Sequence, residues 1–296
     1  MLLAPDLLGL IGKNGRLGSG EDRAAVTSSR SGERGMSYQY ILYEEQDQIG
    51  ILTLNRPDKR NALGMAAEQE MIDCLSDAAR RHAVKVIILK ANGPVFCAGH
   101  DRAEILNRPL SEIRRLFHTS FTLMTTLRSV PQCVIAEVHG IAMAGGCHLA
   151  AGCDLIAAGR DKAQFGMTGL IYSYNCTTPT VAVSRCVGSK KCLEMLMTAK
   201  LYSAEEARQM GLVNWVFPDA ELHQRTLEVA RDIAKSSKYA IYMAKQNFYA
   251  QWEMTEWQAY MFAKEMMAQQ GVSVNATEGF TAFIEKRPPQ WNDDTF

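Results

Sequence analysis

The sequence predicts an α/β protein in which a mostly parallel sheet is covered by helices, and three observations predict it. Continuous apolar runs at Val86–Ala91 and Cys133–Val138 read as strands buried on both faces. Residues 65–81 and 111–128 repeat apolar side chains at helical spacing. Each apolar run is followed by a glycine-bearing turn that leads toward a helix: Cys97-Ala98-Gly99-His100-Asp101 after the first, Gly145-Gly146 after the second. Strands that alternate with helices in this way favour a parallel sheet with helical layers over it.

Taken in order, residues 40–43 and 50–54 alternate well enough for two strands, joined by a polar turn over 44–48. Asn55 to Leu63 is a loop punctuated by Pro57 and carrying Lys59 and Arg60. Residues 65–81 place Met71, Ile72, Leu75, Ala78 and Ala79 on one helical face. Asp101 is suited to cap the segment after the first glycine turn. The helix over 111–128 stops before Pro131. Residues 153–159 continue as a strand and 162–166 as a short extended segment. Helices over 190–198 and 204–210, with Gly211 as a stop, precede a strand over 213–216. Three or four helices follow from Glu221, and Met254, Trp257, Tyr260, Met261, Ala263, Met266 and Met267 form a wide apolar stripe.

The 296 residues suffice for a full core. Thirty-two basic and 32 acidic residues give no net charge, so no global field favours nucleic acid or an anionic membrane. The eight cysteines are scattered through apolar segments without metal-ligand spacing, which argues that most are buried reduced thiols and against a metal. No apolar run reaches the ~20 residues that span a bilayer. Residues 1–36 are expected to be a mostly disordered leader. Asp6, Glu21, Asp22 and Glu33 interrupt any transit-peptide pattern there, so a cytoplasmic location is expected, with organelle import by the leader as the alternative.

The two glycine turns carry the chemistry. A helix N-terminus has unpaired N–H groups and a partial positive charge, and two such turns side by side can hold one developing oxyanion. The segments FCAGHD at 96–101 and GIAMAGGCHLAAGCD at 140–154 resemble the crotonase (enoyl-CoA hydratase/isomerase) superfamily. So do ILTLNRPDKRNAL near the start, AQFG at 163–166, SAEEARQMGLVNWVFP at 203–218 and EGFTAFIEKRPPQW at the end. AGHD and the Cys-Thr-Thr-Pro loop at 176–179 look most like its branch of domain-containing hydratase-like proteins.

The resemblance implies a ββα spiral core over 37–225 and a helical region over 226–296 for trimers, commonly paired into hexamers. It implies an acyl-CoA substrate, with coenzyme A present only as part of that substrate. The backbone N–H groups of His100 and Gly145 would receive the thioester oxygen. Ala98 and Asp101 would flank the first donor, and Lys59, Arg60 and Ala62 would lie along the CoA moiety. Phe283 and Lys286 would close over it, the lysine near phosphate. Tyr172 and Tyr174, on the Cys176 loop, are read either as walls of the acyl pocket or as donors to a water.

At the two places where the hydratases carry glutamates, this chain has His148 and, in the AQFGxxE register, Thr168 or Gly169. His148 is read either as a replacement base or as a hydrogen-bonded filler, and the His100 imidazole either as an acid or base or as a bystander. Cys176 stands where dienoyl-CoA isomerases and aryl-CoA dehalogenases of the superfamily hold an aspartate. It is read either as a thiol of lowered pKa at a helix start or as an inert buried cysteine. The expected activity is enoyl-CoA hydration or double-bond isomerisation. Thioester hydrolysis, C–C cleavage and acyl-CoA binding without turnover are the alternatives.

Overall fold

In the computed structural model, residues 38–293 are described; the leader expected over 1–36 lies outside them. Strands β1 (Ile41–Gln46) and β2 (Ile49–Leu54) pair as an antiparallel hairpin. The expected five-residue turn is shorter than the sequence suggested. Asp47 and Gln48 close it alone, with φ of 49° and 64°, the twist that suits a two-residue hairpin. From β2 the sheet continues in parallel through β3 (Val86–Ala91), β4 (Cys133–Val138), β6 (Leu155–Gly159) and β9 (Trp215–Phe217). A second sheet holds β5 (Ile141–Met143), β7 (Gln164–Gly166) and β8 (Tyr202–Ser203).

The strands are apolar on both faces because both faces are covered. Leu52, Ile87, Leu89, Val134 and Ala136 join one core with Met71 and Leu75 of α1 (Met65–Arg81) and Leu123 and Leu127 of α2 (Leu110–Ser129). Ile49, Ile51, Val86, Ile88 and Ile135 join the other with Leu222, Leu227 and Ala230 of α6 (Leu222–Ala234). The boundary expected at 225/226 therefore falls inside a helix that lies on the main sheet, and the chain from Tyr38 onward is one unit.

Between these elements lie α3 (Gly145–Gly152), α4 (Thr177–Thr198) and α5 (Ala204–Gln209). Helix α4 starts well before the expected 190. Gly188, with φ 76° and ψ 168°, kinks it, so that local sequence shows only its second half clearly. The strands expected from 153 and 213 begin two residues later, at Leu155 and Trp215. Helices α7 (Lys238–Gln251), α8 (Glu256–Gly271) and α9 (Val274–Glu285) complete the chain. Lys245 of α7 is buried and ties that helix down, donating to the Leu127 and Gln132 carbonyls at 2.7 and 2.8 Å and pairing with Asp154 at 2.8 Å. No helix among the described residues is long and apolar enough to cross a membrane.

Candidate active site

The first glycine turn is held as a short strand between two partners. On one side Cys97 N–H donates to Ile141 O at 3.1 Å and Met143 N–H to Cys97 O at 3.0 Å, which lays the turn along β5. On the other, Leu63 N–H donates to Gly99 O and Asp101 N–H to Leu63 O, both at 2.8 Å. Because Leu63 uses the groups of residues 99 and 101, the N–H of His100 is left facing the opposite edge. That edge belongs to Gly145. A β-carbon built at Gly145 would stand 3.2 Å from His100 N, and one at Gly99 3.1 Å from Gly145 N. Neither the His100 nor the Gly145 N–H donates a hydrogen bond among the described residues.

Two backbone features make the approach possible. Gly146 faces the Cys97 carbonyl so closely that any side chain would collide with it. Ala144, with φ 49° and ψ −114°, sits in a region that favours glycine and turns β5 sharply into α3. It is held by its N–H to Gly166 O at 2.8 Å and by its carbonyl, which accepts from His148 N–H at 3.0 Å.

The loop carrying Lys59 and Arg60 joins the same turn, since Ala98 N–H donates to Arg60 O at 3.1 Å. Lys59 is exposed and Ala62 half-buried. The buried Asn61 fixes this loop by donating from Nδ2 to the Asn92 and Val95 carbonyls, both at 2.8 Å. Asp101 caps the segment Arg102–Glu104, as the sequence suggested, and pairs with Arg56 at 3.4 Å. Phe283 and Lys286 stand at the C-terminal end of α9. Phe283 is 82% exposed, and no hydrogen bond among the described residues joins either one to the turns.

The side chains near the two amides are buried and mostly neutral. His148 is only 7% exposed. Burial, followed by the charges of His100 and Arg128, pushes its pKa down to about 4, well below the neutral range expected of a base. Burial alone lowers His100 to about 4. Its ring meets Phe117 edge to face, with centroids 5.0 Å apart.

For Cys176 the structure favours the buried-thiol reading of the two. Its place beside a helix start suggested a lowered pKa, but burial raises it, and the Gly169 N–H that donates to Sγ at 3.3 Å only partly offsets that. The thiol is therefore protonated at neutral pH. Thr168 and Gly169 open the 3-10 turn Thr168–Tyr172. A β-carbon at Gly169 would collide with the Tyr174 carbonyl oxygen and lie 2.9 Å from Cys176 Sγ. The space beside Gly169 is thus filled by the 174–176 loop. Tyr172 is half exposed, with the Arg102 guanidinium 5.6 Å over its ring.

The sequence model described as enoyl-CoA hydratase/isomerase matches residues 44–294. The chain belongs to the enoyl-CoA hydratase/isomerase family. Curated relatives of this family member include enoyl-CoA hydratase domain-containing protein 3, mitochondrial, of Danio rerio, 36% identical over 92% of this chain and 94% of the relative. The human protein of the same description is 38% identical over 84% of this chain and 82% of its own. Among solved structures, the enoyl-CoA hydratase of Mycobacterium smegmatis matches with a TM-score of 0.83 at 38% identity, covering 86% of this chain and 99% of that one. The fold of this family member is the crotonase fold, and its parallel sheet and second small sheet are the spiral expected from the sequence.

One residue of this family member escaped the sequence reading. Glu68 of α1 is fully buried, at 0% exposure, and accepts a hydrogen bond from Ser120 Oγ at 2.6 Å. Its spacing to Met71, Ile72 and Leu75 puts it on the apolar stripe of α1, and an acid on that stripe was the available signal.

Proposed function

We propose that this protein acts on acyl-CoA thioesters by enolate chemistry. The thioester oxygen accepts from the N–H groups of His100 and Gly145, and the negative charge that develops as the carbon next to the thioester loses or gains a proton is held there. Each such donor is typically worth about 3 kcal/mol in the transition state. The observation that carries this reading is the pair of undonated N–H groups brought together by the β5 pairing and the close Gly145 approach.

Double-bond isomerisation fits this chain better than two-carboxylate hydration. His148 replaces one acid and the Gly169 position has no room for the other. A proton-handling group in this site works as a neutral imidazole, because His100 and His148 are both held below the neutral range. The raised thiol of Cys176 weighs against nucleophilic hydrolysis. Lys59, Arg60 and Lys286 are proposed to meet CoA phosphates. The exposed Trp257, Tyr260 and Met267 of α8 are proposed as an oligomer face of trimers or hexamers. No permanently bound cofactor is needed. The relatives named mitochondrial favour an organellar destination over the cytoplasmic one expected from the leader.

A panel of saturated, 2-enoyl, 3-enoyl and 3-hydroxyacyl CoA thioesters, followed by mass and by chromatography of isomers, tests the reading. Interconversion of 2-enoyl and 3-enoyl esters at unchanged mass is the expected result. Loss of CoA that disappears in Cys176→Ala would instead favour hydrolysis, and tight binding with no product would favour a binding protein.

A further inference from the structure

The His100 ring bridges two unlike surroundings. Its Cδ2 edge lies beside Gly145, where a β-carbon would be 3.2 Å away. Its Nδ1 lies 3.7 Å from Glu68 Oε1. Neither ring nitrogen has a hydrogen-bond partner, although both are shielded from water, and the same is true of Glu68 Oε2. Buried polar atoms left unpaired are costly, and in a native site they mark a place where a partner arrives or a proton moves.

We propose that Glu68 is a positioning residue for the His100 imidazole. It holds Nδ1 so that Nε2, on the edge beside Gly145, handles the proton at the carbon next to the thioester. This rests on the reading that the His100 and Gly145 amides hold the thioester oxygen. In the step, the C–H bond at that carbon breaks, its proton goes to Nε2, and its electron pair becomes the enolate whose oxygen the two amides hold. Returning the proton to the far end of the conjugated system completes an isomerisation without an outside reactant. The imidazolium present between the two transfers faces the Glu68 carboxylate across a distance that a small ring rotation closes to a hydrogen bond.

Ser120 keeps Glu68 in place in either protonation state. The Ser120 hydroxyl lies 2.6 Å from Glu68 Oε1 and 3.2 Å from the Leu116 carbonyl. It donates to the carboxylate when Glu68 is ionised. When Glu68 is protonated, the hydroxyl turns to Leu116 and accepts from the acid. Several groups face the couple, and the buried Cys97 thiol is one of them, facing Glu68. His148 of α3 faces His100, whose charge disfavours that of His148. Glu104 faces Glu68 and is itself held by the Met65 N–H at 2.9 Å. Phe117 and Ser120 face from α2. Burial raises Glu68 to about 7, so the carboxylate that steadies the imidazolium forms only as the pH passes through that value.

Two readouts on the full chain test the proposal. The first needs no substrate: nitrogen NMR of ring-labelled histidine, with His100→Gln used to assign the signal. The expected result, above pH 7 where Glu68 is ionised, is a proton on Nδ1 of His100 in the wild type and, in Glu68→Gln, a change of tautomer toward Nε2. An unchanged ring overturns the positioning role whatever the protein acts on. The second is the exchange of the C2 protons of butyryl-CoA in heavy water, which requires enolate formation and nothing more. Glu68→Gln is expected to slow exchange roughly 10²-fold and to abolish its rise through neutral pH, with butyryl-CoA affinity little changed and partial recovery in Glu68→Asp. Wild-type exchange rate and pH profile in Glu68→Gln overturn the catalytic consequence. Absence of exchange in the wild type together with a perturbed His100 ring overturns the enolate reading while leaving the pairing in place. Thermal unfolding of Glu68→Gln, in which the amide keeps the Ser120 contact, identifies any loss due to misfolding.

Discussion

The backbone nitrogen of His100 lies so close to Gly145 that a single added β-carbon would stand 3.2 Å from it. The approach of the two amides is therefore set by main chain, from two turns that the pairing of Cys97 with β5 brings together. Side chains around them can change without removing the donors.

Gly145→Ala places its methyl against both His100 N and the His100 ring at 3.2 Å. Turnover on whichever CoA ester the protein accepts should fall about 10²-fold or more, comparable to the loss of one oxyanion donor. Steady-state kinetics check this, with chemical denaturation showing a stability change small beside the catalytic loss.

Gly169→Glu restores the residue type of the hydratases but not the hydratase site. The β-carbon collides with the Tyr174 carbonyl, and the loop must move to admit it. The variant should lose about 1–3 kcal/mol of stability and gain no crotonyl-CoA hydration. Urea unfolding and absorbance of the enoyl thioester test the two halves, and hydration appearing in a stable variant would contradict the account.

Much of this was legible beforehand, for reasons that particular residues show. Helix α1 was read with the bounds it has because Met71, Ile72, Leu75 and Ala78 repeat at the helical period. The two turns were legible because glycine marks places where backbone must come close, as Gly146 does against Cys97. The start of β9 was not, because Trp215 is extended by pairing with Ala157 rather than by local preference. Glu68 was not, because an acid in a helix ordinarily faces water and its burial depends on Ser120, 52 residues away. The state of Cys176 was left open between two readings because a helix start lowers a thiol while burial raises it, and burial prevails here.

Acid should destabilise this protein partly through His148. Its pKa falls from an ordinary 6.5 to about 4 on folding, so the unfolded chain binds the extra proton first. Its contribution is intact above pH 6.5 and is lost as the pH falls toward 4, by at most about 3 kcal/mol. Glu68 acts with the opposite sign. Raised from 4.5 to about 7, it contributes fully below 4.5 and its contribution is lost as the pH rises through 7. In His148→Gln the stability lost between pH 6.5 and 4 should shrink, as measured by denaturant unfolding at each pH. An equally steep acid loss in the variant would remove His148 from the explanation.

The position of the thioester oxygen in a crystal of the protein with acetoacetyl-CoA tests the central claim most directly. The oxygen should lie about 2.7–3.1 Å from the backbone nitrogens of both His100 and Gly145. An acyl group bound with that oxygen on a different donor, or with only one of the two amides in reach, would contradict it.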